Sequence, residues 1–373
     1  MKKIEKIDKN NLIIFISLSL ILIIGLFMVY SSSSIWANYY FNDKFYYFKR
    51  QSIFVFIGLI LMVGLYKIKL SFLRKHTLLL LSIGFLSLIL VIIPGLGSQI
   101  NGSRSWFKIG SFLLQPAEIF KLIIVLYMAD RLDRYYENTK QFFKTVVVLL
   151  LPGVLGFALI MLQPDFGTGI VMLGSILMMC ILSKNKFKNY LILMGSAVIA
   201  FAILIVSSAY RSERILAFIN PYSDPLGSGF QTIQSMYAIG PGGILGKGID
   251  SSYQKYFYLP EPQTDFIFAI FAEDFGFIGC ILLIGLYTIL IYGMLNKAKD
   301  EKTTYKSFLD IGIASLIIIQ VCINLCVVVG LIPVTGITLP FMSYGGSSIT
   351  MLLAGMGLLL NKGEDIDESS FIR

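Results

Sequence analysis

Charge is scarce in this sequence. Of 373 residues only 14% are Asp, Glu, Lys or Arg, against 56% hydrophobic, and the mean hydropathy is +0.77. A soluble domain carries about 25% charged residues, so this chain has too little charge to cover a water-facing surface. Cysteine is scarce as well. Cys180, Cys280, Cys322 and Cys326 all fall inside apolar blocks, so no disulfide framework is implied. Cys322 and Cys326 share a helical face, but no His or carboxylate lies near enough in sequence to complete a metal site. They read as buried packing residues. Histidine is reduced to His76, beside Arg74 and Lys75 in an expected inner connection. The customary acid–base side chain is therefore absent from the outer segments. No internal repeat is evident, which weakens a transporter built from inverted repeats.

What the chain does have is apolar runs of membrane-spanning length, about 17–25 residues each. Ten candidates lie near 12–30, 51–66, 77–94, 116–130, 145–162, 167–183, 190–209, 265–295, 308–330 and 346–361. Leu12–Tyr30 is too long for a signal-peptide core and reads as the first spanning helix. The fold class expected is an all-α polytopic membrane protein. It is one membrane domain over 1–373, with ten transmembrane helices and a large extracytoplasmic loop, 210–264, between helices 7 and 8. Lys and Arg distribute unequally, 21 in one set of connections and nine in the other. By the positive-inside rule both termini, 1–11 and 362–373, are expected in the cytoplasm. The net charge of +9 sits in these connections. That pattern suits anionic membrane lipids rather than nucleic acid.

Three outer segments, 95–115, 210–264 and 331–345, are where chemistry is expected. Ionisable groups at the mouths of spanning segments are functional by default. Glu118 and Lys121 of Gln115-Pro116-Ala117-Glu118 share a helical face; they read equally as a packing ion pair or as part of a substrate cavity. Asp165, in Gln163-Pro164-Asp165-Phe166-Gly167-Thr168, reads either as a helix N-cap or as a carboxylate facing that cavity. Arg211 and Arg214 suit a phosphate grip or headgroup anchoring. Lys255, Glu261 and Asp265 gather beside Tyr256, Phe257 and Tyr258. Asp265 opens the eighth span, where it reads as a cap or as a general base. Glu273 and Asp274 lie deeper and need partners, with Arg104, Lys121 and Arg211 as candidates. Gly330–Ser348 has no titratable carboxylate or amine. Its glycines and prolines suit a re-entrant turn that shapes a cavity.

Several stretches in order along the chain resemble the SEDS family (shape, elongation, division and sporulation), that of RodA, FtsW and SpoVE. They are Asn101–Trp106, Gln115–Glu118, Gln163–Thr168, Gly229–Gly243, Tyr258–Ala269 and Pro333–Ser348. The run Phe230–Phe268 looks closer to the division and sporulation members (FtsW and SpoVE) than to the elongation member. The resemblance implies ten spans with both termini inside. It also implies glycosyltransferase activity on lipid II, the undecaprenyl-pyrophosphate-linked disaccharide-pentapeptide, at the outer face of the bacterial cytoplasmic membrane. The family's catalytic aspartate falls on Asp265. Substrate contacts are expected from Arg104, Trp106, Glu118, Lys121, Gln163, Asp165, Arg211, Arg214, Lys255, Glu261 and Ser343. A divalent cation (Mg or Mn) is expected at the leaving pyrophosphate, with a class B penicillin-binding transpeptidase as partner. Ala117, Asp274, Cys326 and Thr338 depart from the family pattern. The rival readings are a lipid II flippase without chemistry and a non-catalytic scaffold for the transpeptidase.

Overall fold

The computed structural model describes residues 9–100, 102–110, 112–135, 142–183, 216–227 and 229–363. The seventh expected span, 190–209, lies outside the described residues, as do Arg211 and Arg214. The other nine expected spans each coincide with a helix. They are α1 (Lys9–Phe41), α2 (Tyr46–Lys67), α4 (Thr77–Ile92), α5 (Pro116–Tyr135), α6 (Phe142–Leu162), α7 (Phe166–Ile181), α9 (Ile267–Asp300), α10 (Thr304–Val328) and α11 (Gly346–Leu360). Two shorter helices, α3 (Leu70–Lys75) and α8 (Phe230–Gly242), complete the described set. Among the described residues α1, α2, α9 and α10 are long and apolar enough to cross a membrane. Shorter apolar helices stand beside them at Thr77–Ile92, Val148–Leu162, Phe166–Ile181 and Gly346–Leu360. The protein is a multi-pass helical membrane protein. Its outward faces are correspondingly apolar, with Phe56, Ile60, Leu79, Phe277 and Leu282 all exposed.

The first helix overruns its expected end by eleven residues. No Gly or Pro interrupts it after Tyr30, and its serines do not unwind it. Ser32 and Ser33 return their hydroxyl protons to the carbonyls of Met28 and Val29, four residues back, which keeps them inside the helix. Termination comes at Asn42, in the left-handed region at φ 51°. Asp43 then orders the turn into α2 by accepting from the Phe45 N–H at 3.0 Å and from Lys49 Nζ at 2.9 Å.

The outer segment 95–115 departs from the all-α expectation and folds into a small antiparallel meander of β1 (Ser98–Ile100), β2 (Ser103–Ile109) and β3 (Phe112–Leu114). Ile100 pairs with Ser103 and Ile109 with Phe112, so each hairpin turns through two residues. Gly102 and Gly110 take positive φ there, as tight hairpin turns require.

The eighth span was expected as one continuous helix, and it is not. Gly276 adopts φ 64°, ψ −164° and breaks α9 a short way in. The segment 243–248 replaces the lost helical partners. Phe277 N and Ile278 N donate to the carbonyls of Gly243 and Ile244 at 2.9 and 3.1 Å. Lys247 N and Gly248 N donate to those of Glu273 and Asp274 at 2.9 and 3.0 Å. A Cβ on Gly246 or Gly276 would strike the opposing backbone, so both crossing positions need glycine.

At the centre stands α5. From Ala117 to Asp130 every residue but Ile119 is buried, as expected for a helix surrounded by protein on all sides. The expectation that Cys322 and Cys326 are buried is corrected: Cys322 is exposed and Cys326 only partly buried, while Cys180 is buried. Helical position, which composition does not reveal, turns Cys322 outward.

Candidate active site

Asp265 is the last residue but one before α9. The cap position belongs to Phe266, which has no capping side chain, so helix capping does not account for Asp265. Its main chain is held instead. Asn324 on α10, fully buried, donates from Nδ2 to the carbonyls of Asp265 and Ile337, each at 2.7 Å. The Thr264 hydroxyl lies 2.8 Å from Asp265 Oδ1 and 2.8 Å from the Glu261 carbonyl. With one proton to give, it serves one acceptor at a time. The residue as a whole is partly exposed. Phe257 and Glu261, in the approach to Asp265, hold φ of 67° and 43°. Side chains in this region store about 1–3 kcal/mol each, and such strain collects at functional sites.

The stretch 331–345 is a hub, buried at Ile337 and from Leu339 to Ser343. Gln51 on α2 donates to the Ser343 carbonyl at 2.9 Å, and Tyr287 on α9 to the Pro340 carbonyl at 2.6 Å. Tyr344 N donates to the Gln263 carbonyl at 2.8 Å. Gly25 on α1 and Gly167 on α7 lie so close to this backbone that a Cβ at either would collide with it. Ser343 closes a turn, its hydroxyl accepting from Leu339 N at 2.8 Å. The expected shaping element is thus a folded-back segment touched by five helices. Thr338, a departure from the family pattern, adds to it. Its carbonyl and hydroxyl both receive Gln320 Nε2, at 3.0 and 3.2 Å.

The other motifs meet the hub from the α5 side. Lys121 pairs with Glu118 at 3.0 Å, both buried, and reaches Gln320 Oε1 at 3.4 Å. Gln115 N donates to Ser347 Oγ at 3.0 Å, and Gln115 Nε2 to Asp165 at 2.5 Å. Asp165 does cap α7, accepting from Thr168 N at 3.3 Å. Loss of hydration pushes its carboxyl above the usual range, against the hydrogen bonds from Thr168 and Gln115 that favour the charged form. Gln163, fully buried, donates to the Leu88 carbonyl at 3.2 Å, and its own carbonyl receives the Ser105 hydroxyl at 3.1 Å. Strand alternation puts Arg104 and Trp106 on the opposite face of β2 from Ser103 and Ser105. Arg104 donates to the Ile92 carbonyl at 3.5 Å. The structure therefore joins Glu118, Lys121, Asp165, Ser343 and Asp265 through one polar scaffold. It sets Arg104 and Trp106 at the margin.

The deeper carboxylates have other partners than expected. Lys255, buried, pairs with Asp274 at 2.7 Å and also donates to Ser31 Oγ at 2.8 Å and the Ile249 carbonyl at 2.9 Å. Glu273 takes Tyr253 N at 2.9 Å, Gln254 N at 3.3 Å and the Ser252 hydroxyl, with Lys247 at 3.8 Å. Neither Arg104 nor Lys121 approaches them. The partners come from the loop that docks on the α9 break, a contact between distant segments that spacing alone could not disclose.

Asn324, Gln320 and Gln51 were not singled out from sequence, although a signal existed. Gln320 and Asn324 are polar residues four apart in an apolar span, hence on one face. Among the described residues no three His, Cys, Asp or Glu side chains gather as a metal cage.

Comparison with known proteins gives a consistent answer. A cell cycle protein family, that of FtsW, RodA and SpoVE, matches residues 11–365. Stage V sporulation protein E of Bacillus subtilis is 46% identical over 357 residues, covering 96% of this chain and 97% of its own. A probable peptidoglycan glycosyltransferase FtsW of Trichlorobacter lovleyi is 37% identical, covering 97% and 95%. Among solved structures, a chain from work on coordination of polymerization and crosslinking by a peptidoglycan synthase complex is similar with TM-score 0.76 and 30% identity, over 93% of this chain and 95% of that one. The rod shape determining protein RodA of Thermus thermophilus is similar with TM-score 0.69 and 26% identity, over 93% and 94%.

Proposed function

The chain belongs to the FtsW, RodA and SpoVE family, and on that premise we propose how it acts as a peptidoglycan glycosyltransferase. Its substrate is lipid II, polymerised at the outer face of the cytoplasmic membrane, with both chain termini inside. The Asp265 carboxylate accepts the proton of the acceptor sugar's 4-hydroxyl. That oxygen bonds to C1 of the donor sugar as the bond from C1 to the pyrophosphate oxygen breaks. Undecaprenyl pyrophosphate leaves with the electron pair. Arg211 and Arg214 neutralise it. Lys255 is committed to Asp274, Ser31 and Ile249, so its part is to hold the 249–255 loop in place.

A divalent cation has no protein cage among the described residues. It fits only as an ion shared between the substrate's phosphates and one or two carboxylates, a usual habit of Mg²⁺; Asp265 and Glu261 are the nearest in sequence. The expected partner is a class B penicillin-binding transpeptidase, in keeping with the solved synthase complex that this chain resembles.

The observation that carries the reading is the way Asp265 is held. Its backbone is fixed to α10 and to the hub by Asn324, while the residue as a whole stays partly exposed. A positioned base needs that combination. The test is gel analysis of lipid II incubated in detergent with the purified protein, with and without its transpeptidase. Wild type should give glycan ladders and Asp265→Ala none. A flippase would give no ladder from either protein. A scaffold would support normal wall synthesis in an Asp265→Ala strain.

A further inference from the structure

A cavity of about 500 Å³ opens at the Asp265 end of the bundle, between the overrunning turns of α1 and residues 249–257. The polymerase mechanism above makes no use of it. Its α1 wall carries Ser31, Ser34 and Asn38, spaced to lie along one helical face. The serines of this region have different fates. Ser32 and Ser33 bond back to their own helix, and Ser31 receives Lys255. Ser34 and Asn38 have no side-chain hydrogen-bond partner among the described residues, and both line the cavity. Tyr256, 54% exposed, lines the cavity from the other segment, while Phe257, 41% exposed, closes its rim by packing on Trp36 and Tyr39 at 5.0 and 5.2 Å.

The charge of the lining decides the class of ligand. Among the described residues no carboxylate lines the cavity. Of its two lysines, Lys255 is neutralised by Asp274 at 2.7 Å, which leaves Lys44. A phosphate site normally converges several charged donors, and this one does not. Uncommitted hydroxyl and amide groups facing exposed aromatic faces suit a neutral, hydroxyl- and amide-rich ligand with apolar ring faces. A saccharide has that chemistry. Location agrees. Phe257 is eight residues before Asp265, a separation the chain can stretch to at most about 29 Å.

We propose that this cavity is a saccharide subsite, holding sugar units of the glycan strand adjacent to the pair that reacts at Asp265. Ser34 and Asn38 hydrogen-bond the sugar's polar groups, and Tyr256 packs on its ring face. The proposal rests on the polymerase reading, and its test is separable from that one.

Purified full-length protein in detergent is titrated calorimetrically with a lipid-free tetrasaccharide of the peptidoglycan repeat. Wild type and Asp265→Ala should bind alike. Asn38→Ala, which removes an amide, and Ser34→Trp, which fills the space, should each weaken binding tenfold or more. Melting temperatures check the fold; if Ser34→Trp does not fold, Asn38→Ala at its exposed position decides alone. Inorganic pyrophosphate should not displace the saccharide. Absence of binding to wild type, equal binding by the variants, or displacement by pyrophosphate would each overturn the subsite. The lipid II gel assay on the same preparations keeps the two questions apart. Ladders from wild type with variants that bind normally would remove the subsite and keep the polymerase. Variant-sensitive binding without ladders would do the reverse.

Discussion

The two ends of the bundle handle charge in opposite ways. At the end away from Asp265, side chains close on side chains. Arg74 pairs with Asp130 at 2.9 Å and Asp133 at 2.5 Å and lies 4.8 Å over the Tyr305 ring, linking α3 to α5 and α10. Lys306 pairs with Asp310 and donates to the Leu359 carbonyl at 2.9 Å, linking α10 to α11. At the Asp265 end, side chains mostly hold backbone. Asn324 grips two carbonyls, Glu273 gathers two N–H groups, and Gln51 holds Ser343. Away from Asp265 ion pairs fasten helices that are already regular, whereas near it the Lys255–Asp274 pair ties a loop to α9. Backbone contacts are what irregular segments require, because their peptide groups have no ladder of their own. One end is built for cohesion and the other for presenting a shaped surface.

Mutations should separate these roles. Asp265→Ala should lower lipid II polymerisation by about 10²–10⁴-fold at an unchanged melting temperature; an equal loss of fold would erase the distinction. Lys306→Met should do the opposite. It leaves Asp310, fully buried, without its cation, a loss of about 3–5 kcal/mol for a broken buried pair. Activity per folded molecule should persist. Adding Asp310→Leu should recover much of the stability in the same thermal assay. Asn324→Leu sits between the two. It abandons two carbonyls at about 1–3 kcal/mol each and shifts Asp265. A fall in kcat of about 10- to 100-fold with little change in KM would mark Asn324 as a positioning residue, whereas a stability loss alone would make it structural. Cys322→Ser should be nearly silent, within about 0.5 kcal/mol. In wild type, an apolar maleimide should label Cys322 and spare the buried Cys180.

Much of this was legible beforehand, for reasons particular residues make plain. Long apolar runs admit few structures in a membrane, so nine spans met helices where expected. Gly330–Ser348 was readable as folded-back chain because it combines glycine and proline with no ionisable group. The β-meander was readable in principle: Asn101-Gly102 is a strong hairpin signal, but its setting between spans suggested a plain loop. The break at Gly276 was not readable. A lone glycine in an apolar run is usually tolerated within a helix, and only the docking of 243–248 shows why this one is not. The Lys255–Asp274 pair was hidden for the same reason, since both loop and helix must be in place before nineteen residues of separation becomes 2.7 Å.

The hub at 331–345 also has a consequence in time. It follows α1, α2, α7, α9 and α10 in sequence, yet all five close around it. Contacts so distant in sequence form late, because the intervening chain must first be ordered. During synthesis the earlier helices can enter the membrane one after another, but the surface that presents Asp265 stays incomplete until this loop arrives. A chain lacking the loop would leave Asp265 without half of the Asn324 clasp that holds it.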